Sequence, residues 1–459
     1  MYGATIGKAS ILGVSAATNQ ACAVGIPTAV STNYLYYYLL SQADAFSDAG
    51  KGGAQPNISQ GIIKAWRLWL PPRAEQTRIV EKLEALLGDL DTAVAELKAA
   101  QRKLASLRQS LLKAAVEGTL TEAWRSCPSP CPRSGEGEAG RGLRSSRKST
   151  PPQPSPSPAA KGREQETGAD LLQRILRERR ARWETKQLAK FAAQGKTPPK
   201  GWQAKYPEPV APDTTDLPQL PEGWVWATID QLAASVRNGL SQKPEQEPRG
   251  YPILRINAVR AMSVNLDEVR YLPISADEAE NYLLQNGDLL ATRYNGSVDL
   301  LGVVGVVRGL TRETLHPDKL IRIQPVLDEH LADWIEVAAS TGVSRAHIVS
   351  RVKTTAGQTG ISGDDLKRMP VPLPPTEEQY AIIEQLDAAL TACDTQQAAI
   401  AHALQQAAAQ RRNLLKTAFA GQLVPQDPAD EPASELLARI RAAHVSNAVA
   451  GKRRGRKKA

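Results

Sequence analysis

Leu70-Pro71-Pro72-Arg73-Ala74-Glu75-Gln76 returns later in the chain as Leu373-Pro374-Pro375-Thr376-Glu377-Glu378-Gln379, displaced by 303 residues. The same displacement carries Gln55-Pro56-Asn57-Ile58-Ser59 onto Gln358-Thr359-Gly360-Ile361-Ser362. It also carries Leu111-Leu112-Lys113-Ala114-Ala115-Val116-Glu117-Gly118 onto Leu414-Leu415-Lys416-Thr417-Ala418-Phe419-Ala420-Gly421. About seventy residues thus align with a later copy without a gap, so one structural unit is used twice. A further match, Asp170-Leu171-Leu172-Gln173-Arg174-Ile175 with Glu435-Leu436-Leu437-Ala438-Arg439-Ile440, is displaced by 265. The first copy therefore holds 38 extra residues between Leu120 and Asp170. The Ser/Pro/Arg-rich tract of 126–165 lies in that interval, and its composition cannot bury a core, which predicts a disordered insertion in a linker.

Each copy opens on prolines, which are tolerated where a helix begins. From Ala74 to Val116 there is no proline, and Gly88 is the only glycine. A helix over these 43 residues would span ~65 Å. Leu83, Leu90, Leu97, Leu104 and Leu111 recur every seven residues, with Val80, Leu87 and Val94 at companion positions, which is a coiled-coil seam. The second copy supplies Leu386, Cys393, Ile400, Ala407 and Leu414, with Ile383, Leu390 and Leu404 alongside. Small Cys393 and Ala407 face large leucines in register, which favours pairing of the two copies with each other. Separate helices, each docked on a globular domain, remain the other arrangement.

Residues 217–370 alternate short β-rich runs, such as Tyr251-Pro252-Ile253-Leu254-Arg255-Ile256 and Leu300–Val307, with turn clusters such as Asn286-Gly287-Asp288. A helix is expected over His330–Ser340. Residues 1–65, with a helix near Tyr34–Phe46, correspond to the last third of such a domain. The expected fold is α+β. A partial first domain (1–65) leads to a first long-helix region (66–125) and a basic, Pro/Ser-rich linker (126–216) with a short helix near 169–192. A second domain (217–370), a second long-helix region (371–425) and a C-terminal helix with basic tail (426–459) follow. The two long helices are expected to form an antiparallel coiled coil.

The net charge of +9 is unevenly placed. Residues 125–205 carry 18 Lys/Arg against 7 Asp/Glu, and the tail Lys452-Arg453-Arg454-Gly455-Arg456-Lys457-Lys458 adds six cations. The rest of the chain is net acidic, so linker and tail can attract phosphates without reading sequence. A solvated charged segment accounts equally well for either run taken alone. No stretch approaches the ~18 apolar residues of a membrane span, and the start Met1-Tyr2-Gly3-Ala4-Thr5 has no basic, apolar leader. Four scattered cysteines, Cys22, Cys127, Cys131 and Cys393, suit a reducing, cytoplasmic setting, and no metal site is expected.

The sequence contains no phosphate-binding loop, GxGxxG turn, HExxH helix or GxSxG elbow, and its five histidines are dispersed. Asp364-Asp365 stands at a helix start, where a carboxylate stabilises the helix terminus. No catalytic residues and no cofactor are expected in this chain. The polar residues that remain sit on loops. Arg255, Arg260, Arg293 and Asn295 are of the types that pair bidentately with guanine or adenine edges. Ser297 lies in the same turn cluster. Arg345, His347, Arg351 and Lys353 fall in a run with no acid between Val337 and Asp364, which suits phosphate contact.

The order of domain, long helix, domain, long helix resembles the specificity (S) subunit of type I restriction–modification enzymes. The resemblance rests on the proline-led stretches at 70–76 and 373–379, the two Leu-Leu-Lys helix ends, and Leu220-Pro221-Glu222-Gly223-Trp224. Thr292–Ser297 and Thr18-Asn19-Gln20-Ala21 look like late elements of two target-recognition domains, which adds Asn19 and Gln20 to the candidate DNA contacts, together with Lys8 at the end of Tyr2–Lys8 in the same partial first domain. It implies a subunit that reads a bipartite double-stranded DNA target, with the helices setting the spacer and docking two methyltransferase (M) subunits. Restriction (R) subunits would join them, and S-adenosylmethionine, ATP and magnesium would belong to those partners. A rod of ~65 Å can hold two readers one to two DNA turns apart, each turn being ~34 Å. The incomplete first domain departs from the pattern. It implies either a start inside a longer ancestral protein or a misplaced start codon, and recognition of one half-site by this chain alone. Two other readings stay open. A methyltransferase or endonuclease in its own right would bind S-adenosylmethionine or cut DNA, yet the Asn/Asp-Pro-Pro-Tyr/Phe motif of base amino-methylation is absent. A coiled-coil scaffold would bind partners independently of salt and have no affinity for DNA.

Overall fold

A computed structural model describes residues 6–19, 22–27, 30–50, 57–126, 166–355 and 358–455. Gln20, Cys127, Cys131, nearly all of the 126–165 tract and the last four residues lie outside the described residues. The helices are α1 (Thr32–Ser41), α2 (Ala43–Ala49), α3 (Gln60–Lys64), α4 (Arg73–Val116), α5 (Glu122–Arg125), α6 (Gly168–Ala193) and α7 (Ile229–Leu232). They continue with α8 (Ala276–Ala279), α9 (Glu329–Ala339), α10 (Gly342–Ser350), α11 (Gly363–Lys367), α12 (Thr376–Phe419) and α13 (Ala433–Gly455). The strands are β1 (Val225–Thr228), β2 (Ala233–Asn238), β3 (Tyr251–Leu254), β4 (Val259–Arg260), β5 (Ser263–Val264) and β6 (Val269–Leu272). The rest are β7 (Leu289–Thr292), β8 (Val304–Val306), β9 (Leu320–Pro325), β10 (Lys353–Thr355), β11 (Gln358–Gly360) and β12 (Pro370–Leu373).

The sequence repeat extends to individual hydrogen bonds. Ser59 caps α3 by accepting the N–H of Ile62, and Ser362 caps α11 by accepting that of Asp365. Such caps satisfy donors that the first helical turn leaves open. The amide of Gln76 donates to the Pro71 carbonyl at 3.0 Å, and that of Gln379 to the Pro374 carbonyl at 2.9 Å. Both glutamines are buried, so each proline-led entry into a long helix is held from the side. The long helices also stop alike. Gly118 (φ 74) and Gly421 (φ 70) adopt the left-handed conformation, and their N–H groups bond to the carbonyls of Ala115 and Ala418. A side chain there would be strained, which makes glycine the helix terminator.

The chain divides into two compact units, one of residues 1–104 with 394–459 and one of residues 105–393. In the first, Tyr34, Ile79, Val80, Leu83, Leu87, Leu415 and Ala418 form the core, so the first turns of α4 pack on the last turns of α12. Tyr34 and Tyr38 meet Phe419 edge-on, each with ring centroids 5.3 Å apart. Where the sequence suggests one helix near Tyr34–Phe46, the structure has α1 and α2. Gln42 leaves the helical region at φ −96 and ψ 6, which breaks the run without proline or glycine.

In the second unit the relation of the long helices is exchanged. Leu112, Ala115 and Val116 of α4 share a core with Ile382, Leu386 and Leu390 of α12. Of the heptad positions taken over both units, Leu83, Leu104, Leu386, Cys393 and Ala407 are buried, while Leu90, Leu97, Leu111, Ile400 and Leu414 are half-buried. Complete burial of a leucine such as Leu386 contributes about 2 kcal/mol. The second unit also holds a four-stranded antiparallel sheet in the order β2-β9-β7-β8. β1 pairs with β12 in the register Val225↔Leu373, which ties the residues after Trp224 to the start of the proline-led stretch. The hairpins β3-β6, β4-β5 and β10-β11 complete the unit.

Candidate nucleic-acid interface

Five of the sequence-derived candidates fall in one loop system of the second unit. β7 ends at Thr292, and the loop 293–297 docks on the β10-β11 hairpin. Asn295 N–H donates to the Thr359 carbonyl at 3.2 Å, Ile361 N–H donates to the Arg293 carbonyl at 3.0 Å, and Tyr294 bridges to Gly360. A Cβ on Gly360 would lie 2.5 Å from the Tyr294 ring, so this approach requires glycine. The hairpin begins with exposed Lys353, and half-buried Arg351 closes α10 just before it. Arg293, Asn295, Ser297, Arg351 and Lys353, spread over sixty residues of sequence, are thereby brought into one loop cluster.

The cluster is ordered by its own contacts. The Arg293 guanidinium lies 4.8 Å from the Tyr294 ring centre, and Nη1 donates to the Asp318 carbonyl at 3.4 Å. Asn295 Oδ1 accepts the N–H of Ser297 at 3.1 Å, in a turn that the Asn295 N–H contact to Thr359 also fixes. Arg345 has a different task. Its guanidinium donates to the carbonyls of Leu301, Val298 (3.3 Å) and Asp299 (2.8 Å), and burial lowers its pKa from the ordinary value. It closes the loop from behind. His347 likewise turns inward, with Nε2 at 3.0 Å from the Asp365 carbonyl. The basic run around 345–353 therefore divides into two inward groups, Arg345 and His347, and two outward ones, Arg351 and Lys353. Burial pushes Asp365 up, but bonds from Ser362 and the charges of Lys353 and Arg351 outweigh it and hold the carboxyl below its ordinary value. That carboxylate caps α11, the role assigned to the Asp364-Asp365 pair.

Arg255 and Arg260 stand on other hairpins of the same unit. Arg255, at the end of β3, pairs with Glu268 at 3.1 Å, and the amide of Asn257 donates to the same carboxylate oxygen at 2.9 Å. Glu268 thus positions an arginine and an asparagine side by side. Asn257 escaped the sequence reading, although it lies two residues after Arg255 in the same post-strand turn. Arg260 is exposed on the β4-β5 hairpin and reaches back to the Val259 carbonyl at 2.9 Å. In its turn Met262 has φ 58, the one positive value of a non-glycine among the described residues. The Met262 N–H on the Val304 carbonyl (2.9 Å) and its side chain against the core hold that conformation. Lys8 and Asn19 are exposed in the first unit, and Gln20 lies outside the described residues. Among the described residues no group of three or more His, Cys, Asp or Glu is placed to hold a metal ion. No helix among them is long and apolar enough to cross a membrane.

Residues 1–99 match the family described as the type I restriction modification DNA specificity domain. Over 421 residues the chain is 29% identical to the type I restriction enzyme EcoKI specificity subunit of Escherichia coli (strain K12), covering 90% of this chain and 71% of that protein. It is 23% identical over 446 residues to the StySPI specificity subunit of Salmonella potsdam, covering 94% and 75%. Among solved structures, a chain described under complex assembly and conformational transition of the type I R-M system superposes with a TM-score of 0.50. That match has 16% identity and covers 86% of this chain and 72% of the other, a likeness of fold.

Proposed function

We infer that the chain belongs to the type I restriction–modification specificity subunits and is a DNA-recognition subunit. It reads double-stranded DNA through residues held on loops of a rigid sheet, the arrangement in which loop side chains acquire specificity. In the second unit, Arg255, Asn257, Arg260, Arg293 and Asn295 are the base-edge readers, since Arg suits guanine and Asn suits adenine. Arg351, Lys353 and Ser297 take phosphates, which position the protein without carrying sequence information. Lys8, Asn19 and Gln20 play these parts in the first unit.

The two long helices act as an antiparallel coiled coil that links two readers and docks two methyltransferase subunits, and restriction subunits complete the assembly. The chain itself catalyses nothing. S-adenosylmethionine, ATP and magnesium serve the partners.

The observation that carries this reading is the duplication of hydrogen bonds at the helix boundaries. Ser59/Ser362, Gln76/Gln379 and Gly118/Gly421 repeat at one displacement. A chain with internal two-fold character suits a two-part DNA target, as protein symmetry mirrors that of its site. Co-expression with a type I methyltransferase subunit, followed by methylation-site sequencing, tests it. Discrete two-part methylated motifs are expected, and failure to form any complex would sink the reading.

A further inference from the structure

We propose that the segment 183–206, at the end of α6, is a second, sequence-independent DNA contact that grips the phosphate backbone. This rests on the recognition role inferred above. Between Thr185 and Pro207 the chain has Lys186, Lys190, Lys196, Lys200 and Lys205 and no Asp or Glu. All five lysines are exposed, and none forms an ion pair among the described residues. The three acids earlier on the helix are already engaged, Asp170 in the capping box with Thr167, Glu178 by Arg182 at 2.8 Å and Glu184 by Arg180 at 3.2 Å.

A run of solvated charge in a loose linker would need no explanation. Here the segment is folded. α6 stops at Gly195 (φ 61), where the Lys196 N–H bonds to the Phe191 carbonyl at 2.9 Å. The chain then doubles back through Pro198-Pro199 and a short turn at Trp202–Lys205. Trp202 stacks on Trp183 with centroids 5.7 Å apart, Phe191 meets Trp202 edge-on, and Tyr206 meets Trp183 edge-on. Four aromatic rings thus pack together, with the Arg179 and Arg180 guanidinium groups each 5.5 Å from the Tyr206 ring centre, and the five exposed lysines lie on the segment that carries them.

The element is also fixed to the recognition unit. Arg179 donates to the Ala233 carbonyl at 3.1 Å and to the Tyr206 hydroxyl at 2.6 Å, and lies 3.7 Å from Asp230. Leu171 and Ile175 of α6 enter the main core of that unit. Beyond the aromatic core, the Val210 N–H bonds to Asp230 at 3.0 Å. A rigid, unneutralised cationic surface on a DNA-reading unit meets one abundant polyanion, the duplex backbone. Lysine serves there as a point charge that carries no base preference.

The test uses the assembled complex with its methyltransferase subunit and two duplexes, one carrying the methylated motif and one without it. Affinity is measured against salt for the wild type, for a variant with all five lysines changed to Gln, and for a five-Arg control. Each lysine on a phosphate contributes about 0.9 to the slope of log K against log salt. The Gln variant is expected to lose about 2 or more from that slope on both duplexes, with the methylated motif unchanged. The Arg control should keep the wild-type slope. An unchanged slope in the Gln variant overturns the proposal. So does an unchanged slope with loss of the methyltransferase subunit, which would assign the lysines to an acidic protein surface. A wild type that methylates no discrete motif would instead overturn the recognition role, so the two failures are distinguishable.

Discussion

Arg174 holds Glu166 at 2.8 Å, and 265 residues later Arg439 holds Glu431 at 2.7 Å in the same eight-residue relation. The repeat therefore includes the helices after each long helix, and a leucine accompanies each pair: Leu171 is 2% and Leu436 3% exposed. Magnitudes separate the two contributions. The ion pairs are partly exposed, and such pairs are worth about 0–1 kcal/mol. Arg174→Ala should change urea unfolding by less than about 1 kcal/mol. Leu171→Ala, which leaves a cavity, should cost about 2–4 kcal/mol. Equal effects would mean that the polar contact, not the apolar one, docks α6.

Glu378 is the buried counterpart. Its carboxylate, 1% exposed, accepts the Trp224 indole N–H and the Thr121 hydroxyl, both at 2.7 Å, and pairs with Arg125. Removing one partner from a buried ionic network costs about 3–5 kcal/mol. Glu378→Ala should therefore destabilise the second unit by about 3 kcal/mol or more, read as a fall in the denaturation midpoint. A loss below about 1 kcal/mol would show that water replaces the carboxylate at no cost.

The loop cluster divides cations that look alike in sequence. Arg345 is committed to backbone carbonyls, whereas Lys353 is exposed. Lys353→Gln should lower the salt slope of DNA binding by about 0.9 with little effect on stability. Arg345→Met should lower stability and affinity together while leaving the slope unchanged. The opposite pattern would place Arg345, not Lys353, on phosphate.

The long helices were legible because a heptad pattern over forty residues survives any local perturbation, as Leu83, Leu104 and Leu386 illustrate by their burial. The glycine stops and serine caps were legible for the same reason, being local chemistry. The loops were not. Whether Arg345 or His347 faces solvent depends on carbonyls forty or more and eighteen residues away, at Asp299 and Asp365. Nothing in the local pattern marks that. Asn257 was missed because its role comes from Glu268, across the β3-β6 hairpin. The break between α1 and α2 at Gln42 has no proline or glycine to announce it.

His316 gives a pH signature. It is 1% exposed, its Nδ1 lies 3.0 Å from the Tyr282 carbonyl, and burial, with the charges of Arg322 and Arg237, lowers its pKa to about 4. The unfolded chain, with an ordinary histidine near 6.5, binds the proton first as pH falls. Stability from the neutral ring is then complete above pH about 6.5 and is lost progressively towards pH about 4. The loss amounts to about 3 kcal/mol. Urea unfolding at pH 7.5 and 4.5 should show it, and His316→Gln should flatten the difference. An equally steep dependence in the variant would place the titration elsewhere.

The most direct measurement is an exchange of residues 217–370 for the corresponding domain of a relative, keeping both long helices, followed by methylation-site sequencing in the methyltransferase complex. If this domain reads sequence and the helices set spacing, one component of the methylated motif changes while the other component and the spacer length stay. A motif unchanged by the exchange would contradict the assignment of DNA recognition to this domain.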